Sequence, residues 1–524
     1  VATMAGRSGQ HLMAAMALAV FAGGASVQAA GPSTVLTVLI DDLGFYDTAV
    51  HNPDIGSITP NLRDLAADGI RLDRHYVYKF CSPTRRAILS GRFPVHITGE
   101  QADVCSNCLP LNFSLISQKL AGAGWVNHFV GKGHLGYMTM DHLPINRGFV
   151  SHVGYLYGME NYSWGNHSKQ YYSKDMWDGS APGEQDIDEI YYSTNFYADR
   201  AASIIKEHPQ DKNLFLHLMW QAVHAPYVDT PPWEQIPEAT PFWDHTFGDM
   251  LYVMDRGMGN VTQALKDSGL WKNTLMVVSA DNGGIGPGNN YPLRGHKMTP
   301  WEGGTRVMAF VTGGFLPPAL RGTVSSDFIH VVDWYATILT LVGVDPTDTV
   351  EYNGVRAPID GVDVWPMLTS ANKTNPREWL PVTETSLIWK QQYKLLVGAS
   401  SVNWYTPNCT QIPDNSTLFP CVKGNNATNC LVCSSDKPCL FDLIKDPGEY
   451  HNIAEFEPVI VKSMAAKLAT YTPYVTCTMT RAELEPYNCS SPHGEAWGPQ
   501  AGYAFRYAGP CCFKKSDSQG PEDA

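Results

Sequence analysis

The sequence predicts an α/β fold, a mostly parallel central sheet flanked by helices, followed by a smaller C-terminal α+β part. Up to about residue 370, short β-branched or apolar runs alternate with helical patterns. Polar groups follow several of these runs directly, at the carboxyl ends where open α/β sheets build their sites. Beyond residues 372–378 the strand-like runs shorten, and cysteine, asparagine and serine become frequent. With 524 residues, 44% hydrophobic and 17% charged, the chain can bury a large ordered core.

At the amino end, Arg7 and His11 precede an apolar run over 12–22, and Val27-Gln28-Ala29 offers small residues for a signal peptidase. A signal peptide over 1–30 follows, with Met4 as initiator and the mature chain starting near Ala30. The first strand is expected over 35–40, followed by Asp41-Asp42. A helix comes next: Thr59 as cap, Pro60 in the first turn, an apolar face of Leu62, Leu65 and Ala66, and Gly69 as the stop. Strands over 125–130, 214–219 and 276–280 lead into Gly131-Lys132-Gly133-His134, the loop carrying His224, and Asp281-Asn282. A fifth strand is expected over 307–311, with helices over 189–206, 250–268 and 328–342. The later part suggests strands over 380–384 and 387–397 and a helix over 457–471. The expected organisation is thus a signal peptide, a large α/β domain over 31–370, a disulfide-rich α+β domain over 371–510, and a tail over 511–524.

The formal net charge of −14 argues against a nucleic-acid partner, which would need a basic face. No later segment has the ~20 consecutive apolar residues of a spanning helix. Twelve cysteines fit an oxidising compartment: Cys105 and Cys108 lie together, and Cys409, Cys421, Cys430, Cys433, Cys439, Cys477, Cys489, Cys511 and Cys512 crowd the later part. Zinc is the rival reading there, because Cys430-Leu431-Val432-Cys433 has ligand spacing. Nine glycosylation sequons begin at Asn112, Asn161, Asn166, Asn260, Asn372, Asn408, Asn415, Asn426 and Asn488, which suits export.

Chemistry concentrates in Cys81-Ser82-Pro83-Thr84-Arg85, followed by Leu89-Ser90-Gly91-Arg92. Its plain reading is a buried cysteine before a proline-initiated helix. The pairs Asp41-Asp42 and Asp281-Asn282 form an oxygen-only donor set suited to hard Ca²⁺ or Mg²⁺. Either pair alone reads as a turn or helix cap. Both pairs at strand ends, beside the cysteine motif, favour a site.

These motifs resemble the formylglycine-dependent type I sulfatases of the alkaline-phosphatase-like superfamily, and within them the arylsulfatase B (N-acetylgalactosamine-4-sulfatase) group. The resemblance also rests on Leu39-Ile40-Asp41-Asp42-Leu43-Gly44, Gly131 to Gly136, Val223-His224-Ala225-Pro226 and Asp281-Asn282-Gly283-Gly284. Pro292-Leu293-Arg294-Gly295-His296-Lys297 leading to Trp301-Glu302-Gly303-Gly304, and Leu440-Phe441-Asp442-Leu443 with Asp446-Pro447 and Glu449, extend it over about 35–455. It implies that a formylglycine-generating enzyme converts Cys81 to an aldehyde, whose hydrate is both nucleophile and metal ligand. Asp41, Asp42, Asp281 and Asn282 would complete a Ca²⁺ (or Mg²⁺) site. Arg85 would hold the hydrated aldehyde; Lys132, His224 and Lys297 would bind sulfate oxygens. His224 would also protonate the leaving alcohol, and His134 would take the proton that allows sulfate release.

Gly133 stands where the family usually has tryptophan, and Met298 where the similar subgroup often has an aromatic residue. A 4-sulfatase substrate is therefore not implied. The expected activity is hydrolysis of sulfate esters, plausibly of sulfated carbohydrates, in a secreted or lysosomal enzyme. A formylglycine-dependent phosphodiesterase or phosphonate hydrolase, or an inactive glycan-binding pseudoenzyme, are the alternatives.

Overall fold

The computed structural model describes residues 31–98, 109–137, 139–162, 176–179, 181–182, 192–236, 244–348, 350–352, 355–370, 374–399, 402, 405, 431–471, 473, 475–476, 487–488 and 513–514. The expected signal peptide, the tail apart from residues 513–514, and all cysteines except Cys81, Cys433 and Cys439 lie outside them.

The central sheet has ten strands: Thr34–Ile40 (β1), Ile70–Leu72 (β2), Val126–Gly131 (β3), Ser151–Gly154 (β4), Trp177–Asp178 (β5), Ala181–Pro182 (β6), Leu214–Met219 (β7), Thr274–Ala280 (β8), Ala309–Thr312 (β9) and Thr323–Ser325 (β10). Their spatial order is β10-β2-β9-β8-β1-β7-β3-β4-β5-β6. The middle, β8-β1-β7-β3-β4, is parallel throughout. β1, β7 and β8 are buried along their whole length, which explains their nearly continuous apolar sequences.

Toward both edges the sheet turns mixed. β9 pairs antiparallel with β8 and β2, and β5 antiparallel with β4 and β6. The expected strand over 307–311 is in fact two. Arg306–Val307 joins a small sheet with His75–Tyr76 and Ile329–His330, and Ala309–Thr312 joins the main one. Its direction has a topological cause: residues 281–305 stay at the carboxyl ends of the strands, so the chain re-enters the sheet from that side and runs back.

Helices Pro60–Ala67 (α1), Cys81–Ser90 (α2), Ile116–Gly122 (α3), Ser193–Glu207 (α4), His245–Asp267 (α5) and Asp333–Leu341 (α6) accompany the sheet. Thr59 precedes α1 as expected but does not cap it through its side chain, because its hydroxyl accepts the Ala49 N–H at 2.8 Å. The helix expected from residue 250 begins at 245, where the Asp244 carboxylate accepts the Phe247 N–H at 3.0 Å. The helix expected from 328 begins at 333, because Ile329–His330 is taken by strand pairing.

A second sheet is antiparallel: Trp379–Thr383 (β11), Ser386–Trp389 (β12), Tyr393–Leu396 (β13) and Cys439–Asp442 (β14), packed with helix Pro458–Leu468 (α7). The single run expected over 387–397 folds into a hairpin at Lys390 and Gln391, which adopt φ of 50° and 60°. Cys433 is disulfide-bonded to Cys439, so it is not a ligand of the zinc site that its spacing to Cys430 suggested.

This second sheet is tied to the segment between β8 and β9 through buried charge. Lys394 Nζ on β13 donates to Glu302 at 2.9 Å and lies 3.0 Å from Glu449, while the Glu302 N–H donates to Glu449 at 2.7 Å. Tyr76 OH also donates to Glu302, at 3.0 Å. All three charged side chains are fully buried, and burial with the nearby Glu302 charge pushes Glu449 up to about 7 although Lys394 opposes it. Lys394→Met should therefore leave two carboxyls without their shared ammonium and lower stability by about 3–5 kcal/mol. Chemical unfolding should show the reduced midpoint; a loss well under 1 kcal/mol would contradict the role given to this network.

Candidate active site

The register of the parallel strands assembles the site. Ile40 pairs with Ala280, so Asp41 and Asp281 leave β1 and β8 side by side. Backbone bonds continue past the strand ends: Asp281 N–H to Ile40 at 3.1 Å, Asp41 N–H to Ala222 at 3.0 Å, and Lys132 N–H to Met219 at 2.9 Å. The segments bearing Asp41-Asp42, Lys132, His224 and Asp281-Asn282 thereby share one edge, as the sequence suggested. Asp42 and His134 adopt φ of 53° and 54°, unusual for residues other than glycine, in the turns that bring them there.

Helix α2 supplies the remaining wall. Phe80 caps it in an extended conformation, Cys81 is the first helical residue, and all ten helical residues are buried. Gly91 ends it at φ 67°, where a Cβ would meet the Tyr335 ring at 2.7 Å. Cys81 thus lies at the positive end of a helix dipole, with Sγ 3.5 Å from Asp41 Oδ1 and 3.9 Å from Asp42 Oδ1. Burial raises the Cys81 thiol well above its ordinary range, despite Lys132 and Lys297 nearby. An unmodified thiol here stays protonated and is a weak nucleophile.

Three cations face three carboxylates. Arg85 donates through Nε to Asp281 at 2.8 Å and through Nη1 to the Lys132 carbonyl at 3.1 Å, and its Nη2 lies 2.7 Å from the same Asp281 oxygen as an ion pair. Lys132 Nζ donates to Asp41 at 2.5 Å, and Lys297 Nζ to Asp42 at 2.6 Å. Burial opposes the charge on Asp42, but Lys297, His224 and Lys132 outweigh it and hold its pKa below the usual carboxylate range. Burial and the Asp41 charge push Asp281 up, with Arg85 offsetting part of the effect.

His224 Nε2 lies 3.5 Å from Asp42, and its Nδ1 bonds the Ala225 carbonyl at 2.6 Å. Burial lowers it to about 3. With Nδ1–H donating, the neutral ring turns a bare Nε2 toward the carboxylates. One ligand atom from each of Asp41, Asp42, Cys81 and His224 falls within a 4.8 Å cluster, so His224 stands nearer the cation-binding groups than its expected sulfate role required. His134 packs edge-on to Phe80 at 6.0 Å, and Lys297 Nζ lies 5.3 Å from the same ring.

The donor set fits a hard cation. Asn282 Nδ2 donates to Asp42 at 2.8 Å and to the Gly283 carbonyl at 3.0 Å, but its buried Oδ1 receives no hydrogen bond among the described residues. A buried acceptor without a donor, on a side chain that already touches the Asp42 carboxylate, suits a cation ligand. All ten residues expected from sequence meet in this region. Phe80 was not anticipated, because an aromatic residue before a helix carries no periodic or charge signal.

An α/β sheet that gathers balanced acids and bases around a cysteine in the first turn of a helix suits a hydrolase of anionic esters. Residues 33–344 match the family described as Sulfatase. Arylsulfatase J from Mus musculus is 31% identical, over 89% of this chain and 80% of its own length. Arylsulfatase A from Homo sapiens is 26% identical, over 82% and 85% respectively. Among solved structures, PsFucS1 sulfatase from Pseudoalteromonas sp. shares the fold, with a TM-score of 0.66 and 24% identity over 86% of this chain and 92% of that one. The chain belongs to the sulfatase family and is a sulfuric ester hydrolase. Among the described residues no helix is long and apolar enough to cross a membrane.

Proposed function

We propose that this chain hydrolyses sulfate esters of carbohydrates through residue 81 after conversion of Cys81 to formylglycine, with Ca²⁺ or Mg²⁺ held by Asp41, Asp42, Asp281 and Asn282. The observation that carries the reading is the position of Cys81: at a helix N-terminus, against Asp41 and Asp42, and within a cluster holding Lys132, Lys297, Arg85 and His224. Support for a carbohydrate substrate comes from relatives named N-acetylgalactosamine-6-sulfatase, 26% identical in Mus musculus. A structure of similar fold, Ps i-CgsB, is described in complex with k-i-k-neocarrahexaose. Because Cys81 is 1% exposed, conversion by a separate oxidising enzyme belongs before folding is complete.

When present, the cation would neutralise sulfate charge and lower the pKa of a hydroxyl at residue 81. Lys132 and Lys297 now spend their charge on Asp41 and Asp42. Asp41 and Asp42 would hold the cation, and Lys132 and Lys297 would then bind the sulfate oxygens and stabilise charge developing in the transition state. Arg85 stays on Asp281 and keeps that carboxylate oriented. His224 Nε2, bare in the neutral ring, takes up a proton when an anionic sulfate binds beside it and passes that proton to the leaving alcohol; His134 takes the proton that lets sulfate depart. The sequons and leader-like segment support a secreted or lysosomal enzyme.

Mass spectrometry of the peptide spanning residue 81 should find an aldehyde or its hydrate, and Cys81→Ala should abolish turnover while leaving the fold intact. Turnover comparable to the parent enzyme would reject residue 81 as nucleophile. Aryl phosphate hydrolysed faster than the matched sulfate would instead favour the phosphodiesterase alternative.

Removing divalent ions should suppress activity, and Ca²⁺ or Mg²⁺ should restore it. Calorimetric titration of the metal-free protein should show Asn282→Leu binding Ca²⁺ about tenfold more weakly or worse, since the bare Oδ1 is gone. Unchanged affinity would remove Asn282 from the ligand set.

The two histidines are separable in rapid mixing. His134→Ala should release alcohol in a burst and then turn over slowly, whereas His224→Ala should lose the burst, most severely with poor leaving groups. Identical time courses in the parent and both variants would reject these assignments.

A further inference from the structure

Beside the catalytic cluster lies a carboxamide with every hydrogen-bonding position in use. Asn290 is fully buried. Its Oδ1 accepts the Gly284 N–H at 2.9 Å and the Phe45 N–H at 3.3 Å. Its Nδ2 donates to the Gly284 carbonyl at 3.0 Å and the Gly295 carbonyl at 3.2 Å. An amide side chain offers two donors and two acceptor lone pairs on its oxygen, so none is spare, and the partners fix which way round it sits.

These partners belong to three segments that approach one another only in the folded chain. Phe45 lies just beyond Asp41-Asp42, Gly284 just beyond Asp281-Asn282, and Gly295 just before Lys297. The Gly284 carbonyl also accepts the Lys297 N–H, at 3.3 Å, so the residue gripped by Asn290 is the one on which the Lys297 backbone rests. The approach is close enough to require glycine: a Cβ on Gly284 would meet Gly44 Cα at 2.8 Å, and one on Gly44 would meet the Asn289 carbonyl oxygen at 2.4 Å. Asp47 secures the neighbouring backbone, accepting the Gly44 N–H at 2.7 Å and the Asn289 N–H at 2.8 Å.

We infer that Asn290 is a positioning residue for sulfate ester hydrolysis, holding the Lys297 segment in register with the segments that carry Asp42 and Asn282. The inference rests on the reading of Lys297 as a sulfate-binding cation. The side chain touches no reacting group. It fixes where the Lys297 ammonium stands, and a displacement of ~1 Å in such a group can cost about 100-fold in rate.

The test is a double-mutant cycle on the full chain carrying the converted residue 81, with kcat and KM measured on an aryl sulfate for the parent, Asn290→Ala, Lys297→Ala and the double variant. Asn290→Ala should lower kcat by about 100-fold. The double variant should be within about twofold of Lys297→Ala, because two residues acting as one unit are not additive. Multiplied losses in the double variant, or parental kcat in Asn290→Ala, would overturn the inference. Hydrogen exchange supplies a readout independent of turnover: the Gly284 and Lys297 amides should exchange faster in Asn290→Ala while β1 and β8 keep their protection. Unchanged exchange at both amides overturns it even if activity falls. If Asn290→Ala does not fold, Asn290→Asp, which keeps the outline but loses both donors, is judged by the same cycle and exchange. A fully active Lys297→Ala would reject the sulfate-binding reading of Lys297, and exchange would still decide whether Asn290 holds the segment.

Discussion

Everything at the site follows from burying Asp41, Asp42 and Asp281 together at the ends of adjacent parallel strands. Three carboxylates out of water are tolerable only with matching positive charge at short range. The chain meets that demand with Arg85 from α2, Lys132 from the turn after β3, and Lys297 from the long segment between β8 and β9. Because the partners come from three parts of the chain, the acids act as a common anchor that draws those parts to one place.

The anchor also makes the arrangement exchangeable. Lys132 and Lys297 each hold one of Asp41 and Asp42, which belong to a possible metal site, and the cation proposed there would leave both ammonium groups to other anions. Arg85 differs, since its one bond to Asp281 and one to the Lys132 carbonyl, with Nη2 close to the same carboxylate, suit orientation more than exchange. The buried Cys81 thiol, raised by its surroundings, would be chemically quiet in such a place unless converted.

Behind this cluster the support is built from groups that the sequence order does not connect. Asn290 ties backbone to backbone, and Lys394 with Glu302 and Glu449 joins the second sheet to the segment just beyond Lys297. The smaller sheet therefore contributes to the geometry of the site without contributing a residue to its centre.

The sequence by itself determined the class. Apolar runs marked β1, β7 and β8, buried along their whole length, and the partly buried β3, and Asp41-Asp42, Gly131 to His134, His224 and Asp281-Asn282 followed them because residue order along a strand fixes what emerges at its end. The motif at Cys81 pointed to the sulfatase family. Tertiary structure decided what periodicity cannot encode: the mixed edges, where strands of two to four residues leave no pattern, and the splitting of 306–312 between two sheets. It alone showed His224 beside Asp42, Phe80 between His134 and Lys297, and Asn290 bridging three segments. Those are contacts between residues far apart in the chain, and their energies depend on distances that only the packed backbone sets.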